Sequence, residues 1–212
     1  GLLATVLLLG LSFGGRAAAP AQGAAPEYGP AKGTLVIIGG NMQESSGLAQ
    51  KFIQLAGGPD KKFVIVPTNN GNRDAKGALI DYKEETVIAP WLKRGLKNVA
   101  MLHTADPKVA NTEEFVKPLV DANGVWFDGG RQWNSVDSYM GTRALEEFRK
   151  VLDRVGAIAG SSAGATIQGD YLVRGDTSGP DVVMTPQPNH QHGFAFLRRS
   201  AIDQHINARN RW

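Results

Sequence analysis

The chain has 212 residues, 42% hydrophobic and 20% charged, which suffices for one α/β domain with a real core and does not call for a second. Its net charge of +3 is small, and its basic residues are dispersed apart from Arg209-Asn210-Arg211, so the composition gives no ground for nucleic-acid binding. The absence of cysteine excludes disulfides, thiol catalysis and zinc–thiolate centres.

The first residues point to export. Residues 2–11 form an apolar run, and Ala17-Ala18-Ala19 offers small residues for a signal peptidase. Residues 1–19 are therefore expected to be the remnant of a secretory signal, since no methionine or charged segment precedes the run. The run is too short to span a bilayer comfortably. Residues 20–33, rich in Ala, Pro and Gly, read as a linker, and the folded part is expected over 34–212.

Thr34-Leu35-Val36-Ile37-Ile38 is a continuously apolar, β-branched run, as in a strand buried on both faces. Gly39-Gly40-Asn41 follows, then helical spacing through Leu48, Phe52, Ile53 and Leu55 that stops at Gly57-Gly58-Pro59. Residues 63–68 predict a second strand, 82–96 a helix, 98–102 a strand, and 112–120 a helix capped at Thr112 or Asn111. A strand over 124–127 ends in Asp128-Gly129-Gly130, and a helix over 144–155 leads into the apolar run 156–159. Strands alternating with helices predict a mostly parallel sheet covered on both faces, a three-layer α/β architecture. In such sheets ligands bind beyond the carboxyl ends of the strands. Three strands end there in Gly39-Gly40, Gly129-Gly130 and Gly160-Ser161-Ser162.

Gly160, Ser162 and Gly164 fit the Gly-x-Ser-x-Gly pattern of a nucleophile elbow, a sharp strand-to-helix turn that lifts a serine hydroxyl clear of the sheet. The alternative is a small-residue loop with Ser161 or Ser162 as an N-cap. A serine nucleophile needs a base. The four histidines are His103, His190, His192 and His205. His103 ends a predicted strand ahead of the serine, while His190 and His192 sit in a Pro/Gln/Asn loop with no acidic residue close in sequence to complete a metal site. His205 lies in Ile202-Asp203-Gln204-His205, a polar triplet behind an isoleucine, after the apolar stretch 194–197.

Phe127-Asp128-Gly129-Gly130-Arg131-Gln132, Gly160-Ser161-Ser162-Ala163-Gly164-Ala165, Asp170-Tyr171-Leu172-Val173-Arg174-Gly175 and Ile202-Asp203-Gln204-His205 together resemble the successive motifs of the cyanophycinases. These enzymes stand with dipeptidase E among the S51 serine peptidases, whose flavodoxin-like fold is similar to that of class I glutamine amidotransferases. The resemblance implies Ser162 as nucleophile, His205 as general base, and the backbone N–H groups of Gly130 and Ala163 as an oxyanion hole. It implies substrate contacts from Gln132, Asp203, Gln204, Arg209 and Arg211, the two arginines having a surface basic run as their alternative. No tight His/Asp/Glu cluster suggests a metal, and no cofactor is expected. For the triad acid, Asp176 is preferred, with Asp181 second and Asp170 third. Arg174-Gly175-Asp176 also spells an integrin-binding triplet, here read as coincidence.

The implied activity is hydrolysis of aspartyl amide bonds, β-Asp-Arg among them, in a peptide or cyanophycin-like substrate by an exported enzyme, with a homodimer as the assembly considered. Two departures bear on this. Asp128-Gly129-Gly130-Arg131-Gln132 stands where the family usually has Thr-Gly-Gly-Asp-Gln or Thr-Gly-Gly-Asn, so Arg131 is expected to change the pocket charge. The chain also stops at Trp212, soon after His205, and is expected to be truncated at its C-terminus as well. The competing reading is a non-catalytic domain that keeps the fold and binds a small anionic ligand. An amidotransferase would need a cysteine at the elbow.

Overall fold

The computed structural model describes residues 28–174 and 184–210; the expected signal segment and Asp176, Asp181 and Arg211 lie outside the described residues. The elements run β1 (Thr34–Ile38), α1 (Leu48–Leu55), β2 (Lys62–Val66), α2 (Glu84–Lys93), β3 (Asn98–Met101), α3 (Pro107–Ala110) and α4 (Glu113–Val120). They continue with β4 (Gly124–Phe127), α5 (Gln132–Tyr139), α6 (Arg143–Asp153), β5 (Ala157–Ser161), α7 (Ala163–Thr166), β6 (Gly169–Tyr171) and β7 (Leu197–Ala201).

Five strands form one sheet in the order β1-β5-β4-β2-β3, and every pairing in it is parallel. Period-two alternation divides the strand side chains between two cores. Val64, Val66, Val125, Phe127 and Ile158 face a core built with α4, α5 and α6. Phe63, Ile65, Trp126, Ala157 and Ala159 face the opposite core, built with α1 and α2. Helix α6 shows why the apolar pattern was readable: Leu145, Phe148, Val151 and Leu152 recur at helical spacing and all are buried. The result is the three-layer α/β fold.

Strand order fixes where a site can form. The chain steps from β2 outward to β3, then returns to β4 and β5, so the connections after β2 and β4 leave these neighbouring strands in opposite directions. A crevice opens at such a switch point. The β5–α7 corner closes beside it by close backbone approach. A Cβ on Gly164 would come within 2.0 Å of the Phe127 carbonyl oxygen, and one on Gly160 within 2.2 Å of the Gly164 carbonyl oxygen.

Two features lie outside what the sequence patterns predict. Helix α5 follows Gly130 without an apolar stripe; it buries Gln132, Ser135 and Ser138 together with Val136 and Tyr139, so hydrophobic periodicity could not reveal it. The helix after the elbow covers only Ala163–Thr166, and Asp170 lies on β6, which pairs in parallel with β7 in a separate two-stranded sheet.

Replacing Gly164 with alanine is expected to destabilise the protein by roughly 3 kcal/mol or more, because the new Cβ meets backbone that cannot swing aside. Urea denaturation measures this, and an unchanged midpoint would show that the β5–α7 corner is less tightly packed than described.

Candidate active site

Ser162 stands between β5 and α7 with φ 53° and ψ −114°, a left-handed conformation unfavourable for a residue with a Cβ. Backbone of this kind costs roughly 1–3 kcal/mol and persists only where its surroundings impose it. Here the Ser162 N–H donates to the Ile38 carbonyl at the end of β1 (2.9 Å). The next carbonyl along, that of Gly39, accepts from the N–H of His205 (2.7 Å). His205 is also left-handed, at φ 55°. Two successive carbonyls at the end of one strand thus hold both residues, and Ser162 Oγ lies 2.8 Å from His205 Nε2.

Gln204, almost fully buried, also brings its amide against Ser162 Oγ. A hydroxyl has one proton and two lone pairs. If the serine proton goes to Nε2, the Gln204 amide satisfies the oxygen by presenting its NH2; if it goes to Gln204 Oε1, the histidine must carry its proton on Nε2 and donate it to the serine oxygen. The first arrangement primes a nucleophile, and the same contacts serve both.

The loop after β4 runs alongside. A Cβ on Gly129 would lie 3.4 Å from Ser162 Cβ, and one on Gly130, at φ 121°, would sit 2.0 Å from the Asn69 carbonyl oxygen, so glycine is required there. Asn69, fully buried after β2, ties this loop down. Its amide donates to the Asp128 carbonyl (2.9 Å), its side-chain oxygen accepts from Ser135 (2.7 Å), and its own carbonyl accepts from the Arg131 N–H (2.7 Å). Ala163 opens α7, where the first N–H groups have no partner within the helix. The N–H groups of Gly130 and Ala163 therefore belong to two separately anchored segments flanking the serine.

Ser162, Gly130 and His205 border a cleft of about 700 Å³, within the range that encloses small ligands. Its other walls include Met42, Tyr82, Trp91, Arg94, Trp126 and Asp128. Asp128 accepts from Trp126 Nε1 (2.7 Å) and Asn70 Nδ2 (3.2 Å). Desolvation raises its pKa above the ordinary carboxylate value, against the lowering effect of those hydrogen bonds and of Arg94. Burial likewise raises the pKa of Tyr82, with a further push from Asp128.

The remaining expected site residues are distributed unevenly. Gln204 is at the serine, and Asp203 accepts from the Gln204 N–H (2.8 Å), shaping the turn before His205. Gln132 departs from the pocket-lining position the resemblance implies: it is 1% exposed, and its amide donates to the carbonyls of Val173 and Arg174. Arg131 does not line the cleft either; it is exposed, with its guanidinium 5.8 Å from the Trp133 ring, so its effect on pocket charge gives way to that of Asp128 and Arg94. Arg209 is outside the cleft wall, its backbone N–H donating to the His205 carbonyl (3.0 Å). The Asp170 carboxylate accepts from the Arg199 N–H (3.2 Å) and faces His192 (3.5 Å), which removes it from the triad position. His190 instead meets Asp137 at 2.6 Å, so the two loop histidines diverge to different acids.

Sequence reading missed Asn69, Arg94 and Thr68. The Thr68 hydroxyl links His103 Nδ1 (3.0 Å) to the buried Tyr139 hydroxyl (2.6 Å), and Tyr82 packs edge-on to the His103 ring. The Thr68-Asn69-Asn70 run after a strand was a signal for polar function at a sheet edge, but its partners were invisible without coordinates.

A strained serine touching a histidine, at the carboxyl edge of a parallel sheet and beside a cleft, defines a protein of the α/β serine-hydrolase type. The chain belongs to peptidase family S51, whose pattern matches residues 35–211. It is similar to a cyanophycinase of Synechococcus elongatus, 26% identical over 185 residues that cover 85% of this chain and 54% of that protein. It is also similar to a cyanophycinase of Geminocystis herdmanii (strain PCC 6308), 22% identical over 186 residues covering 85% of this chain and 64% of that one. The chain thus spans roughly half to two-thirds of the length of these curated relatives. Among solved structures, a peptidase from an acI-B1 Actinobacterium shares the fold, with a TM-score of 0.62 at 20% identity, covering 85% of this chain and 71% of that one.

Replacing Asn69 with alanine strands the Ser135 hydroxyl and the Asp128 carbonyl and should cost about 2–6 kcal/mol, since each such group costs about 1–3 kcal/mol; chemical denaturation of the variant reads this directly. His103 gives a pH signature. Burial lowers its pKa below the ordinary 6.5, so the folded state favours the neutral ring. The unfolded chain takes up a proton first, and this contribution to stability is complete above that ordinary value and lost as pH falls toward the depressed one. Thermal melts across that window should show a fall that is smaller in a His103→Asn variant; an equal fall in both would assign the effect elsewhere.

Proposed function

We propose that the protein is a serine peptidase of cyanophycinase type that hydrolyses aspartyl amide bonds, β-linked Asp-Arg among them. The observation that carries the proposal is the 2.8 Å approach of Ser162 Oγ to His205 Nε2 at a serine held in a strained left-handed turn. Membership of family S51 and similarity to cyanophycinases support the substrate class. The apolar run at residues 2–11 supports export.

In this reading His205 Nε2 takes the Ser162 proton as Oγ attacks the amide carbonyl, and the carbonyl oxygen becomes an oxyanion. The N–H groups of Gly130 and Ala163 receive that charge, two donors on rigid backbone that need no reorganisation as it develops. Collapse of the intermediate breaks the C–N bond, and the leaving amine takes the proton from His205. Water, deprotonated by the same imidazole, then cleaves the acyl-enzyme and restores the serine. A carboxylate at the far ring nitrogen would fix the tautomer and stabilise the imidazolium. We assign that role to Asp176.

Ser162→Ala and His205→Gln are expected to lower kcat on α- and β-aspartyl dipeptides by about a thousandfold or more, with KM changed little. Hydrolysis undiminished in Ser162→Ala would remove the serine from the mechanism. A folded wild-type protein inert toward these peptides, which binds them without turnover, would favour a binding domain on the same scaffold.

A further inference from the structure

The cleft beside Ser162 contains a cation that neither the motif nor the proposed chemistry uses. Arg94, just past the end of α2, has a side chain only 14% exposed, with its guanidinium carbon 4.8 Å from the centre of the Trp91 ring. Trp91 is itself buried and packs against Trp126, 5.0 Å away between ring centres. Stacking on a fixed indole holds the planar guanidinium in one orientation at the cleft wall. Among the described residues lining the cleft, Arg94 is the only lysine or arginine.

Its ionic partner is Glu44, from the short 3-10 turn Glu44–Ser46 that follows the end of β1. Glu44 is 65% exposed. A nearly buried cation is therefore paired with a carboxylate reaching in from solvent, and the exposed carboxylate keeps water to return to when it leaves. The guanidinium is a planar fork of five N–H donors suited to carboxylate oxygens. Its Nε, buried, meets no acceptor among the described residues. Asp128 shares the cleft near Ser162, with its oxygens already accepting from Trp126 and Asn70. With those contacts satisfying Asp128, Arg94 is left as the guanidinium donor lining the cleft for an entering anion.

We infer that Arg94 is a specificity determinant that binds a carboxylate of the peptide substrate, and that Glu44 occupies this position in the unliganded protein and yields it when substrate arrives. The inference rests on the peptidase reading of Ser162 and adds the substrate chemistry: a peptide with a free carboxylate remote from the scissile bond. Because Glu44 competes for the same donors, it lowers the apparent affinity by the fraction of time it spends there.

The test measures protection of Ser162 against a neutral fluorophosphonate by N-acetyl-aspartyl-leucine and by its diamide, each variant normalised to its own rate without peptide. The diacid should protect the wild-type protein at least about tenfold better than the diamide, and Arg94→Met should reduce that preference to near unity. Glu44→Gln should strengthen protection by the diacid about threefold and leave the diamide unaffected. A diacid preference that survives in Arg94→Met overturns the inference. A serine that never reacts with the probe counts against the peptidase reading alone. Calorimetric titration of the same two peptides into the Ser162→Ala protein and its Arg94→Met derivative then reads the preference directly, and equal affinity for diacid and diamide in the former overturns the Arg94 inference.

Discussion

The end of β1 sets the geometry of the whole site. The carbonyls of Ile38 and Gly39, adjacent in sequence, each accept one backbone hydrogen bond, from Ser162 and from His205. The two recipients come from distant parts of the chain, and both hold left-handed φ values that an L-residue adopts only when constrained. The two segments meet at the tip of β1, where their side chains converge. The serine–histidine distance is thus fixed by backbone, which varies less than side-chain rotamers would.

A second constraint acts from the other side of the crevice. Asn69 clamps the glycine loop after β4 to the loop after β2, across the point where the connections diverge. Gly130 can have no side chain there because the Asn69 carbonyl occupies the space, and Gly164 can have none because the Phe127 carbonyl does. Donors for an oxyanion are useful only if they are aimed before the charge appears. In the proposed mechanism that rigidity comes from the close backbone packing around these glycines.

Much of the fold was legible because its strands and its larger helices are strongly patterned. Val64, Ile65 and Val66 announce a strand buried on both faces, and Leu145, Phe148 and Leu152 announce α6. Helix α5 was not legible, since the surface it buries is largely hydroxyl and amide, matched to Asn69 and to the backbone at Val173 and Arg174. The serine and histidine were legible through linear motifs. Arg94 was not: it caps the end of a helix far from any motif, and its guanidinium lies over Trp91, which packs on Trp126. Arg131, conspicuous in a motif, turned outward to Trp133. Motif position predicts where the backbone goes far better than where a long side chain ends.

The most direct measurement is a crystal structure of the protein after reaction with a fluorophosphonate. The account predicts density continuous from Ser162 Oγ to phosphorus, with a phosphonyl oxygen within about 3 Å of the N–H groups of Gly130 and Ala163 and His205 beside the leaving position. An unmodified Ser162 in reacted, folded protein, or an adduct whose oxygen points away from both N–H groups, would contradict it.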